Sequence, residues 1–272
     1  AHSISPLMHN ESFRLLGLDY VYLCFDVNEE TLPAAVAGLK TCGIRGFNLT
    51  MPNKNKIVEL LDELSPEAQL IGAVNTVLND NGKLIGYNTD GYGFMQSVRD
   101  AGHDITGKNI TVMGVGGASM AICAQSALDG AASVHIFARR TSRYWNRTQK
   151  FAENLSAKTG CQVCLFDNDD HTALRDSIAQ SYLLINATSV GMVPDIDDTI
   201  IKDTSLFHPE LVVADVVYEP QETRLLREAK AVGCQTFNGM YMLLHQGAKA
   251  FQIWTGQEMP VSVIKEKYFS VK

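Results

Sequence analysis

The sequence predicts an α/β protein in two domains, an N-terminal α/β part followed by a doubly wound parallel sheet. Three observations predict it. From residue 109 onward, short apolar runs alternate with amphipathic helical stretches, the pattern of a parallel sheet with crossover helices. A glycine-rich turn joins the first of those runs to its helix. Ahead of it, residues 102–107 are polar and turn-rich, which sets a domain boundary between residue 101 and residue 102.

Residues 20–27 (YVYLCFDV) are β-branched and aromatic and read as a strand. In residues 29–41, Leu32, Ala35, Val36 and Leu39 share a helical face. Residues 43–49 read as a second strand, and Pro52 opens a helix carrying Ile57, Leu60 and Leu61. Strands 73–78 and 83–87 flank Asn79-Asp80-Asn81-Gly82, a hairpin signal. In the second part, strands are expected at 109–113, 133–138, 162–166, 182–186 and 211–217. Helices are expected at 120–128, 145–158, 171–179 and, in the tail, 240–254.

The 272 residues suffice for a sizeable core. The net charge of −7 makes nucleic acid and anionic membranes poor partners, so an anionic ligand needs local donors. No apolar run reaches the ~18 residues of a membrane helix. Most of the six cysteines, Cys24, Cys42, Cys123, Cys161, Cys164 and Cys234, stand singly in apolar stretches, which suits buried thiols in a reducing cytoplasm. Cys161-x-x-Cys164 has no second pair and reads as strand-edge thiols. No histidine spacing suggests a metal. His2, His9 and His245 are candidates to border a pocket, and His103, His135, His171 and His208 read as surface or strand-face residues.

The turn Gly114-Val115-Gly116-Gly117-Ala118-Ser119 lies between a strand and a helix, the context of a dinucleotide fingerprint and of a Rossmann-like sheet. Gly114 permits the tight turn, Gly116 lets backbone approach a pyrophosphate, and the helix N-terminus offers free N–H groups to it. Ser119 replaces the third glycine. At the end of the next strand, where an acid would bind the ribose of NAD, stand Arg139 and Arg140. Two guanidinium groups suit a 2′-phosphate and point to NADP, with NAD also accommodated. Tyr144-Trp145 beside them either stacks on adenine or packs.

The first third holds polar clusters that core packing does not explain: Ser3-x-Ser5-Pro6, residues 48–54 (NLTMPNK), residues 72–76 (GAVNT) and residues 86–91 (GYNTDG). With these the sequence resembles the shikimate/quinate dehydrogenase family. The matching segments are HSISPLMHN (2–10), FNLTMPNK (47–54), GAVNTV (72–77), GYNTDGYG (86–93), GVGGAS (114–119), NATSVGM (186–192), DVVYEPQET (215–223) and GMYMLLHQG (239–247), in the family's order.

The resemblance implies a substrate domain of residues 1–101 to which helices 239–272 return, a cofactor domain of residues 102–238, a cleft between them, and the reversible reduction of 3-dehydroshikimate to shikimate. It implies that Lys54 and Asp90 are the catalytic pair and that Ser3 and Ser5 hold the substrate carboxylate. Thr50, Asn75 and Gln246 then line the pocket at the ring hydroxyls, with Tyr218 near the carboxylate. Gly114, Gly116, Gly117, Ala118, Arg139, Arg140, Thr188, Ser189, Val216 and Gly239 match cofactor-contacting positions, with Met240 and Met242 beside the nicotinamide. The chemistry suits these residue types. Oxidising an alcohol removes hydride from carbon and a proton from oxygen, and an amine at that oxygen relays the proton while a carboxylate orients it.

Relatives carry a strand and a Gly-x-Pro turn ahead of the Ser-x-Ser segment, so the numbered chain is expected to lack some native N-terminal residues. Residues 139–147 resemble the branch that accepts quinate and either nicotinamide. Quinate as the main substrate, a ligand-sensing relative without catalysis, and a lysine-using dehydrogenase acting on a folate are the competing functions. Taken as read, the chain is a cytoplasmic monomer or homodimer.

Overall fold

The computed structural model describes residues 3–269, which form two compact units: Ala1–Gly93 with Leu243–Lys272, and Phe94–Met242. The expectation for His2 lies outside the described residues.

The first unit contains α1 (Ser5–Leu16), α2 (Leu32–Thr41), β1 (Gly46–Asn48), α3 (Asn53–Lys56), β2 (Glu63–Leu64), α4 (Pro66–Ile71), β3 (Thr76–Asp80) and β4 (Lys83–Tyr87). Its sheet has the order β1-β3-β4-β2, antiparallel except where β2 joins β4. The Asn81-Gly82 turn closes the β3–β4 hairpin with both residues at positive φ (52° and 92°), the geometry that asparagine and glycine supply at least strain. Leu32, Val36, Ile57, Val74, Val77 and Leu84 make the core beneath this sheet. Pro52 precedes only a four-residue helical turn, which tightens into a 3₁₀ turn at Ile57–Leu60 and so buries Ile57.

Residues 20–27 are not a strand. The segment joins no ladder, and Val21 is 70% exposed. What holds it is one side chain: Asn10 Nδ2 donates to the Tyr22 carbonyl (3.0 Å) and Asn10 Oδ1 accepts from the Tyr22 amide (2.7 Å). An amide side chain thus plays the part of a neighbouring strand at one residue.

The division between the units falls within α5 (Asp90–Asp100) and α10 (Met240–Thr255), which is followed by α11 (Val261–Tyr268). In the first unit, α10 brings Trp254 onto the sheet, where its indole Nε1 donates to the Val77 carbonyl (2.9 Å). Gly46 makes the room. A Cβ there would collide with Trp254 Cδ1 and Nε1 and lie 2.5 Å from the Val77 oxygen. Gly46→Ala is therefore expected to destabilise the protein by about 1–3 kcal/mol, the usual range for overpacking, read as a lowered denaturant midpoint.

The second unit contains β5 (Asn109–Met113), α6 (Gly117–Leu128), β6 (Ser133–Ala138), α7 (Trp145–Thr159), β7 (Gln162–Asp167), α8 (His171–Gln180), β8 (Leu183–Asn186), β9 (Val212–Asp215), α9 (Arg224–Val232) and β10 (Gln235–Phe237). All six strands are parallel, in the order β10-β9-β8-β5-β6-β7. The chain runs outward from β5 to β7, then returns to place β8 on the other side of β5. The order reverses there, and open α/β sheets bind ligands at the carboxyl ends of the strands that flank such a switch. Strands buried on both faces need apolar side chains throughout, which is why 109–113 and 133–138 were readable as uninterrupted runs.

The thiols and imidazoles divide differently from expectation. Cys123, Cys161 and Cys234 are buried, but Cys24 and Cys42 are exposed, because their segments are not covered by a neighbouring element. His103 is buried, not superficial; its Nδ1 lies 2.8 Å from the Tyr182 hydroxyl, and burial lowers its pKa.

Candidate active site

Lys54 sits in the short α3, and the Val74 amide donates to its carbonyl (2.8 Å), which fixes the backbone against the segment leading into β3. Asp90 is the first residue of α5, where the dipole of the helix favours a carboxylate. The two side chains meet: Lys54 Nζ donates to Asp90 Oδ2 at 2.6 Å. They are 20% and 11% exposed, enough for one face of the pair to meet a ligand.

Asn75 organises the pair. It is buried, and its Nδ2 donates to Asp90 Oδ1 (2.8 Å) and to Thr89 Oγ1 (3.0 Å), with a longer contact to Gln246 Oε1 (3.4 Å). Its Oδ1 accepts from the Thr89 amide (2.9 Å) and from Thr76 Oγ1 (3.0 Å). The Asp90 amide in turn donates to Asn88 Oδ1 (3.1 Å). Every rotamer around the carboxylate is therefore locked by a neighbour, as a site requiring sub-ångström placement needs.

The structure joins four of the predicted residues of this unit directly, namely Lys54, Asp90, Asn75 and Gln246. Ser3 and Ser5 form a second group, with the Ser5 amide donating to Ser3 Oγ (3.3 Å). Thr50 is exposed after β1, and its carbonyl accepts from the Asn53 amide (3.0 Å). Tyr22 was missed, having been assigned to a strand. Its hydroxyl donates to Asn48 Oδ1 (3.0 Å) and also bonds Ser5, while Asn48 Nδ2 reaches Thr76 Oγ1 (3.0 Å). The serine group is thereby linked through Tyr22, Asn48 and Thr76 to Asn75. Burial pushes the Tyr22 phenol up to about 12, so it stays protonated.

In the second unit, the predicted cofactor residues follow the carboxyl ends of β5, β6, β8, β9 and β10, with Gly114 and Thr188 after the two strands that flank the switch. Gly114 follows β5 at φ 111°, and a Cβ there would lie 2.8 Å from Thr188 Cγ2 and 2.9 Å from the Ala187 carbonyl. Ser119 Oγ donates to the Gly114 carbonyl (2.5 Å), so the residue in place of the third glycine pins the turn. Gly116 and Gly117 differ from Gly114: nothing stands within 4 Å of where a Cβ would be. That open space lies before the N-terminus of the twelve-residue α6, which Gly117 and Ala118 begin, and it fits a pyrophosphate.

Arg139 and Arg140 are exposed after β6. The Arg140 guanidinium lies 4.6 Å from the centroid of the buried Trp145 ring, which settles that tryptophan as packing. Ser189 is exposed after β8, and Tyr218 is exposed in the second unit, apart from the other predicted substrate residues in sequence and in unit. Gly239 abuts Val216 so closely that a Cβ would collide with the Val216 carbonyl.

Comparison with known proteins identifies the family. A model of the shikimate dehydrogenase substrate binding domain matches residues 1–77, and one of the shikimate 5′-dehydrogenase C-terminal domain matches residues 239–267. The chain is 52% identical over 268 residues to a shikimate dehydrogenase (NADP(+)) of Listeria innocua, covering 98% of this chain and 92% of that one. Shikimate 5-dehydrogenase from Listeria monocytogenes, solved in complex with shikimate and NAD, matches with a TM-score of 0.95 at 52% identity, covering 97% and 91% of the two chains. Quinate dehydrogenase from Corynebacterium glutamicum, in complex with NAD, matches with a TM-score of 0.86 at 32% identity, covering 99% and 95%. With half its residues identical to those of such an enzyme over nearly the whole length, the chain belongs to the shikimate dehydrogenase family.

Proposed function

We propose that this chain catalyses the reversible reduction of 3-dehydroshikimate to shikimate with NADP, and that Lys54 and Asp90 manage the proton at the reacting oxygen. The observation that carries this reading is the 2.6 Å contact between Lys54 Nζ and Asp90 Oδ2. An ammonium has three donors. Among the described residues one is committed to Asp90, which leaves two for a ligand oxygen. In the reducing direction Lys54 gives a proton to the carbonyl oxygen; in the oxidising direction it takes the hydroxyl proton. Asp90 holds the amine in register for both. NADP, held by the Gly114 turn and the start of α6, would supply the hydride chemistry when bound.

Ser3 and Ser5 offer hydroxyls to the substrate carboxylate, and Thr50, Asn75 and Gln246 serve the ring hydroxyls. On the cofactor side, Gly116, Gly117 and Ala118 take the pyrophosphate, Thr188, Ser189, Val216 and Gly239 border the cofactor, and Arg139 and Arg140 take the 2′-phosphate. Arg140 is engaged with Trp145, so Arg139 is the residue to test. Arg139→Gln is expected to raise the KM for NADP about tenfold, the scale of one lost charge-assisted contact, while the KM for NAD stays within about twofold. Equal changes for both cofactors would remove Arg139 from the phosphate site.

Steady-state assays with shikimate and quinate, each with NADP and NAD, test the activity as a whole. The highest kcat/KM is expected with shikimate and NADP. Quinate is the second reading, favoured by the likeness to the Corynebacterium enzyme. Ligand binding without NADPH formation would instead support a sensing role, and no turnover in any of the four pairs would reject both dehydrogenase readings. The exposed thiols of Cys24 and Cys42 suit a reducing cytoplasm, where we place the enzyme as a monomer or homodimer.

A further inference from the structure

Asp215 ends β9 and is wholly buried, with 0% of its surface exposed. Its three partners among the described residues are all uncharged donors. Oδ1 accepts from Asn186 Nδ2 (3.0 Å) and from the Val217 amide (2.9 Å), and Oδ2 accepts from Thr223 Oγ1 (2.8 Å). Burying a carboxylate without a cation is expensive, so an apolar residue here would favour stability. The partners suggest what the carboxylate does instead.

Asn186 ends β8, directly beside Asp215 in the parallel register. With its Nδ2 held by Asp215, Asn186 also donates to the Val190 carbonyl (3.1 Å), and its Oδ1 accepts from the Thr188 amide (3.1 Å) and Thr188 Oγ1 (2.7 Å). Thr188 is the residue against which the Gly114 turn is packed. On the other side, Val217 follows Val216, whose carbonyl is in contact with Gly239. Thr223 caps α9, its Oγ1 accepting from the Leu226 amide (3.4 Å). Three loops, those after β5, β8 and β9, and the loop before α10 thus lean on the partners of one carboxylate.

We infer that Asp215 is a positioning residue for cofactor binding: through Asn186, Val217 and Thr223 it sets the shape of the loops that carry Gly114, Thr188, Val216 and Gly239. This rests on the assignment of those four residues to the cofactor under Proposed function. Asp215 itself does not touch the ligand. Its carboxylate is needed because one side chain must accept from two loops and a helix cap at once, which an amide, having one acceptor oxygen, does only in part.

The test compares wild type, Asp215→Ala, Asp215→Asn and Thr223→Val by fluorescence titration with NADPH, by the KM for shikimate at saturating NADP, and by thermal unfolding. Asp215→Ala is expected to weaken NADPH binding by about tenfold or more, with smaller losses in Asp215→Asn and Thr223→Val, the scale of one or two hydrogen bonds to a charged group. The KM for shikimate is expected to stay within about twofold. Where Asp215→Ala does not fold, the other two variants decide. NADPH affinity unchanged in the folded variants would overturn the inference, as would equal losses for NADPH and shikimate, the mark of a merely structural role. A wild-type protein that does not bind NADPH would overturn the cofactor assignment itself, and the inference with it.

Discussion

Lys54→Ala is expected to lower kcat by about 10²–10⁴-fold, the usual contribution of a positioned acid–base group, with thermal unfolding close to that of wild type. The side chain stands partly exposed in a four-residue helix, and its removal leaves no cavity in the core that lies below at Ile57 and Val74. Asp90, however, loses the one cation that it meets among the described residues and keeps Asn75. Asp90→Asn is expected to lower kcat as well, because an amide at that position turns a donor toward the ammonium or drops its charge. If Lys54 only bound substrate, the loss would fall on KM with kcat preserved. Stopped-flow or steady-state measurement of NADPH formation, with kcat and KM resolved separately, distinguishes the two; turnover near the wild-type value would end the proposed role.

The second large effect concerns acid stability and His9. Its ring is wholly buried, stacked on Tyr22 at 4.6 Å and bordered by Trp254 at 5.3 Å and Phe251 at 6.2 Å. Among the described residues neither ring nitrogen finds a hydrogen-bond partner, and burial lowers the pKa from 6.5 to about 3. The unfolded chain therefore takes up the proton first as pH falls. The stability that comes from keeping His9 neutral is complete above pH 6.5 and is lost progressively down to about pH 3. Between pH 6.5 and 5 the loss amounts to about 2 kcal/mol. Asp215 acts in the opposite sense. Burial pushes it up to about 6 against its three donors, so its contribution grows as pH falls from 6 toward 3.8. The informative quantity is the difference between wild type and His9→Phe, in which Asp215 cancels. Urea unfolding at pH 7.5 and 5.0 should show wild type losing about 2 kcal/mol more than the variant; parallel losses would mean that His9 is not held neutral in the fold.

The parallel sheet was legible because strands covered on both faces carry continuous apolar runs, and β5 and β6 begin and end where those runs do. Residues 20–27 show the converse. Their composition is that of a strand, but a strand requires a partner, and partnership is a property of three-dimensional neighbours that composition does not record. Among site residues, Lys54, Asn75 and Asp90 stood out because polar clusters at element ends have no packing explanation. Gln246 drew attention only through the family pattern, since it lies in an otherwise apolar helix. Asp215 was read as part of an apolar strand, although its position in the quoted DVVYEPQET segment marked it. Nothing in a one-dimensional sequence tells a carboxylate that faces solvent from one that gathers three loops.

The first unit is assembled from two stretches of chain on either side of the second, and this has a consequence for biosynthesis. Chains emerge from the ribosome N-terminus first, and domains generally fold as they emerge. Phe94–Met242 is continuous and can close as soon as it is out. The earlier segment cannot, because the face of its sheet around Gly46 and Val77 waits for Trp254, which is made 177 residues after Val77. Until Trp254 emerges, that apolar surface has only solvent or a chaperone to meet.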